Sequence, residues 1–102
     1  MLIARLIGCP WLKPDEREAA LERFCSALEE AFGGEANVAV AQDAWLRACA
    51  NYPGGVVPSE ADPEDRAAAD QWESALDDAK VAAFSPWPRL DQGCAFEIEF
   101  VA

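Results

Sequence analysis

Histidine is absent from this chain, methionine and tyrosine occur once each, and 8 basic residues stand against 19 acidic ones among 102. Each shortage excludes something. Without histidine the commonest general base and zinc ligand is missing, and nucleophilic catalysis by cysteine or serine ordinarily needs such a neighbouring base. The cysteines, at positions 9, 25, 49 and 94, include no C-x-x-C pair, so the closely spaced thiolates of most zinc sites are missing too. Neither Gly33-Gly34 nor Gly54-Gly55 is followed by the Lys and Ser/Thr of a phosphate-binding loop. No apolar run approaches the ~18 residues that cross a bilayer. The net charge of −11 opposes direct contact with nucleic acid or an anionic membrane. The expectation is a non-enzymatic chain with no metal and no cofactor, whose partner is a basic protein surface.

What is present is the composition of one globular domain over residues 1–102, with 52% hydrophobic and 26% charged residues. A chain of this mass buries roughly 65% of its unfolded surface, enough for a core without staples. Leu6-Ile7-Gly8-Cys9 has the residue order of a lipoprotein cleavage box. Only eight residues precede Cys9, though, and Arg5 interrupts the apolar stretch of about 7–15 residues that a signal needs. The reading is therefore cytoplasmic, with reduced cysteines.

Residues 2–8 are short and apolar and end at Gly8 and Pro10, which suits a buried strand. Pro14 followed by Asp15, Glu16 and Glu18 is a helix start, because a first-turn proline is tolerated and carboxylates favour the positive end of the helix dipole. Leu21, Phe24, Cys25, Leu28, Ala31 and Phe32 then recur at spacings of three and four until Gly33-Gly34, predicting a helix over 14–32. Residues 36–51 are ambiguous: Ala-Asn-Val-Ala-Val-Ala alternates weakly like a strand, and 43–51 reads as a strand or a short capped helix. Residues 52–59 read as an exposed, mobile loop. Asp62-Pro63 starts a second long helix, to about Phe84. Residues 94–101 alternate, with Phe96, Ile98 and Phe100 on one face and Glu97 and Glu99 on the other, which predicts a half-buried strand.

The fold class is α+β, a small antiparallel sheet with two long helices. If 36–51 holds two strands, the order is the ferredoxin-like βαββαβ. The alternative is a two-stranded sheet with three helices. Pairing the terminal strands with Leu2, Ala4 and Leu6 inward sets Arg5 outward beside Glu97 or Glu99, a favourable cross-strand pair. The same parity sends Cys9 outward and Cys94 inward, so no disulfide between them is expected.

Charge is unevenly placed. Residues 1–34 hold six acids and four bases, whereas 60–78 alone hold eight acids and one base, Arg66. On a helix, Asp70, Glu73 and Asp77 share a face opposite Ala68, Trp72, Ala75 and Ala79. With Asp78 and Glu64 they form the candidate partner-binding residues. The bland explanation is a solvated helix face, and the functional one is an anionic surface for a basic groove. Two proline-bounded tryptophans, Trp11 and Trp87, fall at the same end of the predicted sheet and read as core-closing side chains or as interface anchors. Trp45 and Trp72 read as core.

These features suggest a small acidic protein-binding protein, an inhibitor that blocks the nucleic-acid-binding surface of its partner. Phage anti-CRISPR and other nucleic-acid-mimic proteins work this way, an analogy of charge and size. The competing readings are a toxin-neutralising immunity protein, an oligomerising adaptor, and a small-molecule-binding domain.

Overall fold

The computed structural model describes residues 2–86 and 95–100. The chain runs β1 (Leu2–Ile7), α1 (Pro14–Phe32), α2 (Glu35–Ala50), a 3-10 turn at Pro53–Gly55, α3 (Pro63–Ala83) and β2 (Ala95–Phe100). This is the α+β arrangement of a two-stranded antiparallel sheet with three helices, not the ferredoxin-like fold.

The correction falls on residues 36–51, which form α2. Val38, Ala41, Trp45, Ala48 and Tyr52 are spaced by three and four, and all are buried or partly buried. That helical period outweighs the weak alternation of the small residues between them. The corner before α2 is only two residues long. Gly33 takes a left-handed φ of 80°, and the Gly34 N–H closes on the Glu29 carbonyl at 2.8 Å, the wrapping contact of a glycine-terminated helix. Asn37 Nδ2 donates to the Phe32 carbonyl at 2.8 Å, satisfying another orphan acceptor of α1.

The other two helices start as their sequences imply. Pro14 opens α1, and the Glu16 carboxylate accepts the Lys13 N–H at 3.0 Å. Pro63 opens α3, with Asp62 at the N-cap position but making no side-chain cap bond. Ala69, Trp72, Ala75, Ala79 and Ala83 form the buried stripe of α3, and their small side chains let α1 approach closely. Trp72 stacks between Phe32 of α1 and Trp45 of α2, with ring centroids 5.9 and 6.0 Å away. The sheet is fixed to the helices by Phe96, which stacks on Phe24 at 4.0 Å and meets Phe84 at 5.6 Å. A second small cluster of Ala48, Val57 and Ala69 pins the loop before α3, so the expected mobile segment is anchored by a buried valine.

Strand parity is as expected in β1 and β2. Arg5 stands opposite Glu97 in register and makes an ion pair of 3.2 Å with the diagonal Glu99. The parity argument fails just past the strand. Gly8 and Cys9 both take left-handed φ, 85° and 56°, and this excursion turns Cys9 inward to 2% exposure. Cys9 is disulfide-bonded, which corrects the expectation of reduced cysteines, while Cys25 and Cys49 are free. Cys94 lies outside the described residues, as do Trp87 and the side chain of Phe100.

Candidate functional site

The carboxylates of α3 are arranged by the same periodicity that buries its alanines. At about 100° per residue, Asp70, Glu73 and Asp77 fall on one solvent-facing row, and all three are exposed. Asp78 and Glu64 are exposed as well, but they lie on the opposite flank, beyond a strip formed by Ala67, Ser74 and Val81. The structure therefore unites three of the five acidic candidates and sets the other two apart, some ~21 Å from each other along the axis.

Arg66 belongs to the first row and modifies it. Its Nε donates to Asp70 Oδ1 at 3.1 Å, its Nη2 lies 4.0 Å from Glu73, and its Nη1 donates to the Val57 carbonyl at 2.7 Å. The hydrogen bond from Arg66 holds the Asp70 carboxyl below the ordinary range, against a smaller upward push from burial. A carboxyl depressed in the folded state contributes stability that is present above its unfolded pKa, about 3.9, and is lost as pH falls through the lower folded value. Carboxyl-detected NMR titration of the intact protein should place Asp70 below ~3.9, and Arg66→Gln should move it upward. An unchanged midpoint would remove the pair from the description of this surface.

Four other arginines are committed elsewhere, while Lys80 stands on α3 one turn after Asp77. Arg17 donates to the carbonyls of Leu6, Gly8 and Cys9 at 2.8, 2.8 and 2.9 Å, and Arg23 donates to the Ala83 carbonyl at the end of α3. Arg47 pairs with Asp43 on α2, and Arg5 with Glu99 on the sheet. Asp77, Asp78 and Glu64 have no ion pair among the described residues. From Glu64 to Asp78 six acids face one base, about one net charge per 4 Å of helix axis, close to the ~3.4 Å per phosphate along one nucleic-acid strand.

Trp11 is 42% exposed on the loop after β1, so it does not close the core. Its pairing with Trp87 lies outside the described residues. A feature missed in the sequence is a second row on α1, where Asp15, Glu18 and Glu22 are exposed at spacings of three and four. That spacing was available to be read.

Burial raises the thiol pKa of Cys25 and of Cys49, so neither is primed as a nucleophile. Among the described residues no group of three His, Cys, Asp or Glu side chains could hold a metal, and no helix is long and apolar enough to cross a membrane. No protein-family model matches the chain, and neither does any curated protein or solved structure.

Proposed function

We propose that this chain is a protein-binding inhibitor that covers a basic, nucleic-acid-binding surface of another protein, with Asp70, Glu73 and Asp77 standing where phosphates would. The reading is carried by the outward carboxylate row of α3, in which Arg66 engages Asp70 and approaches Glu73 while Asp77, like Glu64 and Asp78 on the second flank, has no ion pair among the described residues. Three carboxylates at helical spacing on a well-packed helix form a stiff array. Such an array gains association rate and selectivity from charge complementarity. Glu64 and Asp78 form the second flank of the same helix, and Trp11 is the exposed aromatic available as an apolar anchor.

The test is charge reversal. Asp70→Lys, Glu73→Lys and Asp77→Lys together replace only exposed side chains, so the helical circular dichroism signal is expected to persist. Partners recovered by the unaltered chain under non-reducing conditions that preserve the Cys9 bridge should bind the triple variant at least ~tenfold more weakly. Raising ionic strength should weaken the unaltered pair, since exposed charges are screened, and nucleic acid should displace the chain from its partner. Equal binding by both forms would overturn the proposal.

A further inference from the structure

The two strands differ at their outer edges. On β1 the Leu6 carbonyl points away from β2 and accepts from Arg17 Nη2 at 2.8 Å. This contact fixes the pairing pattern. Leu2, Ala4 and Leu6 must be the residues whose N–H and C=O face outward, so Ile3, Arg5 and Ile7 exchange hydrogen bonds with β2. On β2 the partners Glu97 and Glu99 then bond inward to β1. The N–H and C=O of Phe96 and Ile98 point to the opposite edge, where no described residue meets them.

That open edge borders a cleft. A cavity of about 210 Å³ lies between β2 and α3, lined by Phe24, Leu76, Asp77, Lys80, Ala95 and Phe96, with no residue of β1. Its lining is aromatic and aliphatic apart from Asp77 of the carboxylate row and Lys80. The outward face of β2 carries Glu97 and Glu99, both exposed, of which only Glu99 is engaged by Arg5. β2 has no proline or lysine within it to block a further strand.

We infer that the edge of β2 is a docking site for an extended segment of the partner, added as a third strand, with basic and apolar side chains alternating along it. The inference rests on the proposal of a basic partner and specifies how that partner is held. Main-chain bonds form to Phe96 and Ile98. Apolar side chains of the segment enter the cleft over Leu76 and Phe24, and lysines or arginines on the other face meet Glu97 and Glu99. A second copy of this chain is the wrong occupant, because β2 laid on β2 sets glutamates beside glutamates in molecules that each carry −11.

The experiment uses the full chain and two synthetic octapeptides of alternating Lys and Val. One is unmodified, and the other is N-methylated on the amides of one edge. In the free chain the Phe96 and Ile98 amides should exchange rapidly with solvent while those of Glu97 and Glu99 are protected. The unmodified peptide should protect Phe96 and Ile98, and its twin should bind about tenfold more weakly or worse, since its side chains and charge are unchanged but its donors are gone. Because the control lies in the probe, folding of a variant is not at issue. Equal binding of the twins overturns strand addition and leaves the basic-partner proposal standing on its own charge-reversal test. Protection of Phe96 and Ile98 in the free chain overturns it as well, whether it is present at all concentrations or grows with a dimer.

Discussion

Trp72→Ala is expected to lower the unfolding free energy by about 3–5 kcal/mol, the range for removing a large aromatic from a packed core. Trp72 is 1% exposed, and it is the ring through which all three helices meet, stacked on Phe32 from α1 and on Trp45 from α2. Few residues nearby can fill the hole, since its neighbours along α3 are alanines held against α1. For a domain of this size the loss corresponds to a fall in Tm of more than ~12 °C, readable in a thermal melt and in urea unfolding with unchanged slope. Trp72→Phe separates the causes. The Trp72 indole N–H meets no acceptor among the described residues, so phenylalanine keeps a stacking ring and gives up no bond to them. It should cost less than half as much as alanine. A cost for alanine below ~1 kcal/mol would contradict the three-helix junction described here.

Arg17→Met is expected to cost about 2–3 kcal/mol, the largest effect from a partly exposed position. The methionine keeps most of the apolar stem and removes the guanidinium that holds the Leu6, Gly8 and Cys9 carbonyls around the left-handed Gly8–Cys9 turn. Charge-assisted bonds are stronger than neutral ones, and the Leu6 and Cys9 carbonyls are partly buried, so water only partly replaces the lost donors. Hydrogen exchange should speed up at the Leu12 amide, which bonds to the Cys9 carbonyl at 3.1 Å, before it does in α3. The helical signal should persist at low temperature. A variant as stable as the parent would mean that the turn is held without Arg17.

The acidic row on α3 was legible because a helix places residues three and four apart on one face whatever it packs against, and the sequence from Asp62 to Phe84 has both the start signal and the period. Its compensation was less so. Arg66 was visible as the one base of the segment, but its grip on Asp70 is tied to its bond with the Val57 carbonyl, which depends on how the loop before α3 is pinned. Trp72 meets the expectation of a core residue and Trp45 meets it in part, half-buried against the main cluster, since large aromatics on the apolar stripes of helices pack inward. Whether Trp11 faces the core or the solvent is not written in its neighbours, and it stands 42% exposed beyond the turn at Gly8–Cys9. The same turn defeated the cysteine argument. Period-two parity holds only while φ stays extended, and two consecutive left-handed residues reverse the direction in which Cys9 points.

The amino-acid order by itself determined the helix starts at Pro14 and Pro63, the two terminal strands with their parity, and the concentration of negative charge after Ser59. Each of these is written within a few neighbouring residues, as a cap, a period or a count. Tertiary structure decided that Cys9 faces inward, and that the outer edge of β1 is met at Leu6 while that of β2 meets no described residue. Those outcomes depend on groups remote in the chain, such as Arg17, reaching one strand and not the other. No local pattern encodes which edge will be reached, because that follows from the sheet lying across α1 and from the cleft left beside α3.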